Sequence, residues 1–168
     1  AVGVSLAAID QVLLTHFHSD HISGIADFNL ASWARGRPEP LQIIGPEGVE
    51  RVVSGLNRMY ELDRGYRVEH HGADLLPPSL HVMQAWTIEP GVILEQDGLV
   101  VTAFAVDHAP VAPAMGYRFD YGGRSVVVTG DTVVTTGLEE AVRDADLLLS
   151  DAISLPIVRA MEQAAREA

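Results

Sequence analysis

A run of six residues near the start of the chain carries four side chains of the types that bind metal ions. His16, His18, Asp20 and His21 follow the apolar segment 9–15, whose branched residues predict a strand. Side chains at positions i and i+2 of an extended chain point to the same side, so His16 and His18 can bind one ion. The chain must then turn, which would bring Asp20 and His21 toward a second position nearby. Imidazole and carboxylate ligands suit zinc, manganese or iron.

The alternative is a solvated histidine-rich loop, or a set of residues that cap a helix. One histidine in such a place would favour that alternative, because isolated motif residues often have no chemical role. Four ligand-type residues within six positions, directly after an apolar strand, favour a metal site instead.

Two more candidate ligands follow strand-like segments later in the chain. His108 comes after segment 99–106, and the next residues, Ala-Pro, end the strand ladder there. Asp131 comes after segment 125–129 and after Gly130, a residue that permits close backbone approach. Taken singly, each would more often be structural, as a histidine at a strand end or a carboxylate in a turn.

In combination these motifs resemble the ligand order of the metallo-β-lactamase superfamily. The motifs, in chain order, are His16-x-His18-x-Asp20-His21, then His108, then Gly130-Asp131-Thr132. Segment 113–119, Pro-Ala-Met-Gly-Tyr-Arg-Phe, resembles the ribonuclease Z and arylsulfatase-like branch. The resemblance covers residues 9–35 and 99–152. It implies an α/β (α+β) fold, the four-layer αββα sandwich, present as a single incomplete domain over residues 1–168.

The resemblance also implies a dinuclear site, with zinc as the expected ion and manganese or iron as alternatives. A hydroxide that bridges the two ions would be the nucleophile, because metal ions lower the pKa of bound water toward neutrality. Asp20 and Asp131 would be the catalytic carboxylates, Asp20 by orienting the hydroxide or by moving its proton. The implied ligands are His16, His18 and His108 for one ion, Asp20 and His21 for the other, and Asp131 as the bridge.

One departure from the family pattern concerns completeness. The family has a further histidine on a strand after the bridging aspartate, and no histidine follows His108 here. We therefore expect the full protein to extend beyond both ends of this sequence. His70, His71 and His81 lie in a segment without a motif, so we expect surface or structural roles for them rather than metal binding.

A second departure concerns the substrate. Ser150 and Asp151 stand where ribonuclease Z has the first two residues of its His-Glu-Ala-Thr motif. Many ribonuclease Z enzymes hold tRNA with a basic arm between the positions that match His108 and Asp131. Only residues 109–130 separate these two positions here, which leaves no room for such an arm. Eleven arginines, no lysine and 23 acidic residues give a net charge of −12, and nucleic-acid binding usually needs a basic surface. We therefore predict a metal-dependent hydrolase of a small phosphate, sulfate or carboxylic ester, with nucleic acid disfavoured as a partner.

Two other functions remain open at this stage. The first is a ribonuclease Z-type endonuclease that processes the 3′ end of tRNA, and the second is a non-catalytic binding module that has lost a metal. The absence of cysteine excludes disulfides and thiolate ligands. No apolar run approaches the roughly 18 residues of a membrane span, so we expect no membrane partner. The sequence does not fix the location, and a cytoplasmic one is slightly favoured. A homodimer is left open.

The other elements follow from local patterns. Residues 92–95 and 99–106, and then 116–121 and 125–129, predict two hairpins with turns at Asp97-Gly98 and Gly122-Gly123. Residues 61–90 predict a loop with one strand. The remaining predictions are a strand at 41–44, a helix opened by Pro46, helices at 21–33, 138–145 and 155–168, and a buried-type strand at 146–150.

Overall fold

A computed structural model describes residues 3–167. Ala1, Val2 and Ala168 lie outside the described residues, and so does the last position of the predicted helix 155–168. No helix within residues 3–167 is long and apolar enough to cross a membrane. The strands are β1 (Gln11–Leu13), β2 (Gln42–Gly45), β3 (Gln84–Thr87), β4 (Gly91–Gln96), β5 (Leu99–Ala105), β6 (Met115–Tyr121), β7 (Arg124–Val128) and β8 (Leu147–Leu149). The helices are α1 (Ser19–Ile22), α2 (Ile25–Trp33), α3 (Val49–Met59), α4 (Glu61–His71), α5 (Pro78–His81), α6 (Thr136–Ala141) and α7 (Leu155–Glu167), with a short 3-10 helix at Leu6–Ala8.

The strands form two sheets. The first has the order β1-β2-β3, and both of its strand pairs are parallel. Parallel neighbours need long connections, which α1 and α2 supply before β2 and α3 to α5 supply before β3. The second sheet has the order β4-β5-β6-β7-β8 and is antiparallel except for the pair β7–β8. Strands β5, β7 and β8 therefore run the same way, and their carboxyl ends lie at one edge.

Two apolar clusters connect the layers. On one face of the first sheet, Leu14 and Ile43 pack with Ile25 of α2 and with Val49 and Val53 of α3. The neighbouring residue Leu13 belongs instead to a second cluster, built on the facing strands β5 and β6. Alternate residues of β1 thus face the helices and the other sheet, as the period of a strand requires. With α6 packed against β5, this is the predicted αββα arrangement, and the predicted fold class is confirmed.

Both predicted hairpins are present. Asp97 and Gly98 join β4 to β5 with φ of 52° and 83°. Gly122 and Gly123 join β6 to β7 with φ of 57° and 75°. Positive φ at both central residues marks the two-residue turns whose twist matches that of paired strands.

The strand predicted within residues 61–90 is present as β3, but the prediction of a loop for the rest is wrong, because two helices, α4 and α5, occupy much of it. No residue of α4 is buried. Its few apolar residues, which include Leu62 and Tyr66 one turn apart, do not form the broad apolar stripe from which a helix is predicted. An ion pair one turn apart, Arg67 Nε to Asp63 Oδ2 at 2.8 Å, supports this exposed helix. Pro78 begins α5, a position where its missing N–H costs nothing.

Two predicted helix boundaries also differ from the structure. The third helix begins at Val49 and not at Pro46, with Gly48 before it at φ 105°. The helix predicted over 138–145 spans Thr136–Ala141 and ends early, because Asp144 has a left-handed φ of 56° that a helix cannot contain.

The prediction of a buried strand at 146–150 is correct for the strand but wrong for its burial. Strand β8 pairs with β7 alone, and Leu147, Leu148 and Leu149 are 53%, 48% and 49% exposed. An uninterrupted apolar run is typical of a strand covered on both faces. Within residues 3–167, β8 is instead an edge strand with half-exposed side chains.

Candidate metal centre

The histidine run begins at the end of β1, and contacts from β6 hold that strand end in place. The Leu14 carbonyl accepts a hydrogen bond of 2.6 Å from the Tyr117 hydroxyl, and the Thr15 carbonyl accepts one of 2.9 Å from the Met115 N–H. Burial raises the pKa of the Tyr117 phenol, so this group stays protonated and donates. The two sheets are thus joined where the chain leaves β1, just before His16.

Four candidate ligands converge at this place. His18 Nδ1 lies 3.0 Å from His16 Nε2 and 3.3 Å from His108 Nε2. One ligand atom from each of these three histidines and one from Asp131 all lie within 4.8 Å of one another. Residues far apart in the chain meet here because β1, β5 and β7 end at the same side of the molecule.

Asp131 lies between these histidines and the remaining candidates. Its Oδ2 is 3.9 Å from His108 Nε2, and its Oδ1 is 3.3 Å from His21 Nε2. Asp20 Oδ2 approaches the same nitrogen of His21, at 3.6 Å. The two carboxylate oxygens of Asp131 therefore face two different groups of candidate ligands, an arrangement that a bridging residue would need.

Backbone contacts fix the loops that carry His108 and Asp131. The Asp107 carbonyl accepts hydrogen bonds from the Val133 N–H at 2.9 Å and from the Thr132 hydroxyl at 3.2 Å. Gly130 has a φ of 64°, and a Cβ at this position would lie 2.7 Å from the Thr15 Cβ. The predicted close backbone approach at Gly130 is confirmed, since no larger residue would leave room for Thr15 beside it.

His16 is the most enclosed of the candidate ligands. Its side chain is fully buried, and its Nδ1 lies 3.1 Å from the Thr15 hydroxyl. Burial, and next the nearby His21, lower the pKa of His16, while Asp131 opposes the shift. The ring is therefore neutral at physiological pH, and the tautomer with its hydrogen on Nδ1, donated to the Thr15 hydroxyl, would leave the lone pair of Nε2 free for a ligand. Sequence reasoning missed Thr15 and Tyr117 as supports; their places directly before the histidine run and in the motif 113–119 are the only signals.

The donor set fits a divalent metal ion. Three ring nitrogens and a carboxylate are typical zinc ligands. Zinc–nitrogen bonds of roughly 2.0–2.1 Å in a tetrahedral site separate the nitrogens by about 3.3 Å, close to the distances observed. Mutual hydrogen bonds do not explain the cluster, because His18 Nδ1 faces two ring nitrogens and can share a hydrogen with only one.

The other histidines lie elsewhere. His70 and His71 are exposed near the end of α4, and His81 is buried on α5 against Trp33. None of the three belongs to the cluster found within residues 3–167. Ser150 follows β8, where its hydroxyl accepts a 3.3 Å hydrogen bond from the Thr129 hydroxyl.

Residues 2–163 match the family described as Beta-lactamase superfamily domain. Ribonuclease Z of Mycobacterium marinum is 37% identical over 161 residues, which cover 94% of this chain and 57% of that protein. Ribonuclease Z of Mycobacterium avium is 38% identical over 166 residues, covering 97% of this chain and 58% of that protein. The chain thus spans less than two thirds of the length of these relatives.

Solved structures agree on the fold. The short form of human tRNase Z superposes with a TM-score of 0.63 at 21% identity, covering 95% of this chain and 64% of that one. The metallo-β-lactamase fold protein YhfI of Bacillus subtilis gives a TM-score of 0.61 at 20% identity, over 87% of this chain and 50% of that one. Identities this low bear on the fold alone. The family match and the ribonuclease Z relatives confirm the predicted resemblance to metal-dependent hydrolases of this superfamily.

The prediction of a small-molecule ester as partner, with nucleic acid disfavoured, is wrong. Relatives that match nearly the whole chain at 37–39% identity are named ribonuclease Z. The absence of a basic arm between His108 and Asp131 does not distinguish this chain from these relatives. In the M. avium relative 166 aligned positions correspond to 97% of this chain, so no long insertion interrupts the matched part there either.

Proposed function

Because this chain belongs to the metallo-β-lactamase superfamily, we propose that its full-length protein is a ribonuclease Z-type endonuclease that processes the 3′ end of precursor tRNA. The observation that carries the proposal is the 37–39% identity to proteins named ribonuclease Z over nearly the whole chain. The converging histidines and aspartates support it, because phosphodiester hydrolysis is chemistry that paired metal ions promote.

In this proposal the site would hold two divalent ions, with zinc favoured. The histidine nitrogens of His16, His18 and His108 with Asp131 Oδ2 form one set of donors. The other set of donors would be Asp131 Oδ1 with His21 and Asp20. His21 and Asp20 lie on the side of the Asp131 carboxylate that faces away from the three histidines. Zinc is favoured over calcium or magnesium because most of the donors are imidazoles.

Divalent ions bound here supply hydroxide at neutral pH and offset the negative charge that builds up on the phosphate during cleavage. The chain's own groups then have distinct tasks. Asp131 would fix the distance between the two sets of donors, since one of its oxygens faces His108 and the other faces His21. Asp20, whose side chain is 78% exposed and whose Oδ2 faces His21, would take the proton of the attacking water at its other carboxylate oxygen, and that proton would pass to the departing 3′ oxygen of the RNA. The buried His16, kept neutral by its surroundings, anchors the site to the protein core.

Metal analysis and cleavage of a precursor tRNA by the full-length protein test this proposal. We expect about two zinc ions per chain. Asp131→Ala should lower kcat/KM for the precursor about a thousandfold, since it removes a donor from both sets. Asp74→Ala is the matched control, because Asp74 is an exposed acid in the loop between α4 and α5. Zinc-loaded wild-type protein that neither binds nor cleaves precursor tRNA would refute the proposal.

A further inference from the structure

A groove of about 410 Å³ lies beside the segments that carry the candidate metal ligands. One wall is Phe17, the residue between His16 and His18, and another is formed by Ala112 and Pro113 of the loop that follows His108. The volume is within the range of roughly 300–1,000 Å³ typical of small-molecule sites. A ligand in this groove would therefore lie next to both segments of the metal centre.

The start of α3 forms the third wall, and its sequence leaves the Phe17 ring accessible to the groove. Gly48 precedes the helix with φ 105°, a conformation that favours glycine. A Cβ on Gly48 would lie 3.2 Å from the Phe17 ring. The aromatic ring therefore lies directly against the backbone at the start of the helix, while part of it also packs on the core.

Arg51, in the first turn of α3, supplies a positive charge to the groove. It is exposed, and among residues 3–167 its guanidinium makes no hydrogen bond or ion pair. An arginine in this state can donate two parallel hydrogen bonds to a phosphate. Glu47 lines the same groove and can accept a hydrogen bond from an exocyclic amino group of a base.

We infer that this groove binds one nucleotide of single-stranded RNA adjacent to the scissile phosphate, with the base on Phe17 and Pro113 and a phosphate on Arg51. Stacking on an aromatic ring combined with an arginine–phosphate contact is the usual way in which proteins hold unpaired nucleotides. The inference rests on the proposed function. It gives a chain of net charge −12 a local cationic contact for RNA that needs no basic arm.

The test compares Arg51→Ala with Arg58→Ala in the full-length, zinc-loaded protein. Arg58 lies two turns further along α3, is also exposed and does not line the groove. We expect Arg51→Ala to raise KM for a precursor RNA about tenfold, and to reduce the slope of log affinity against log salt by about one. Arg51→Lys should recover part of the loss, and Arg58→Ala should match wild type. With bis(p-nitrophenyl) phosphate, which has no adjoining nucleotide, Arg51→Ala should change KM by less than about twofold.

Phe17→Leu tests the stacking contact separately. Leucine keeps an apolar side chain against the core but removes the aromatic face, so RNA affinity should fall about tenfold. Equal RNA affinity and an equal salt slope for Arg51→Ala and Arg58→Ala would overturn the inference. If the wild-type protein still cleaves the precursor, the proposed function stands in that case. If the wild-type protein does not cleave RNA, both the proposed function and this inference are wrong. If Arg51→Ala weakens binding of polyglutamate but not of RNA, the groove binds acidic peptides and the inference is wrong.

Discussion

Histidine 81 should make the protein less stable as the pH falls below neutrality. Its side chain is 2% exposed and packs edge-on against Trp33, with ring centroids 4.7 Å apart. Neither ring nitrogen has a hydrogen-bond partner among the described residues. Burial, followed by the charge of Arg64, lowers the pKa of His81 from 6.5 to about 4; Arg37 and Arg67 add to the shift and Asp63 opposes it.

The direction of the effect follows from which state binds the proton. Above pH 6.5 the ring is neutral in both states, so His81 has no effect on the free energy of unfolding. Between pH 6.5 and about 4 only the unfolded chain takes up a proton, and stability falls. At about 1.4 kcal/mol per pH unit the loss reaches about 2 kcal/mol at pH 5 and about 3 kcal/mol below pH 4.

Urea unfolding of wild type and His81→Leu between about pH 7.5 and pH 5 measures this loss. Leucine has a similar volume and suits the apolar contact with Trp33, and no hydrogen bond is lost. The variant should gain about 2 kcal/mol relative to wild type over this range. His70→Leu is the control, because His70 is exposed in the folded protein and should leave the pH dependence unchanged. A free-energy difference between His81→Leu and wild type that stays constant with pH would refute the reasoning.

Two further predictions concern the supports of the metal centre. Gly130→Ala should lower the free energy of unfolding by at least about 1–2 kcal/mol and reduce zinc content, because alanine is strained at a left-handed φ and its Cβ would overlap Thr15. Urea unfolding and metal analysis measure the two effects. A variant with wild-type zinc content would contradict this account. Thr15→Val should weaken zinc binding about 10–100-fold in a chelator competition, since it removes the oxygen partner of His16 Nδ1, whereas Thr15→Ser should restore it. Equal affinities for the valine and serine variants would show that the hydroxyl has no role.

The candidate ligands could be predicted from sequence because their residue types are distinctive and four of them fall within six positions. Their convergence could not be derived from the chain alone, since His108 and His18 are 90 positions apart. Only the resemblance to a known family joined them. The structure supplies the physical reason: β5 and β7 run in the same direction on either side of β6, so the loops after them meet. The roles of these residues as ligands remain predictions until metal is measured.

The helix α4 shows where a pattern of apolar residues gives no information. Leu62 and Tyr66 are spaced one turn apart, yet they are 69% and 65% exposed and so mark no buried face. Conversely, the three leucines of β8 suggested burial that the described residues do not provide. Apolar spacing predicts an element only when a neighbouring layer covers it. Three further features stay predictions because they depend on the whole protein: the single-domain organisation, the cytoplasmic location and the homodimer.

Net charge misled the prediction about nucleic acid, and the reason lies in the range of electrostatic forces. The value of −12 sums every carboxylate, including those on exposed helices remote from the site. At physiological ionic strength charges more than about 8 Å apart are largely screened, so an RNA responds to the groups it approaches. Near the site, Asp20 and Asp131 would face bound cations, and Arg51 lines the adjoining groove. Under the proposed function, an arginine–phosphate contact at Arg51 would let an acidic chain hold RNA locally, even with Glu47 in the same groove, and it predicts a shallower salt dependence than a basic arm would give.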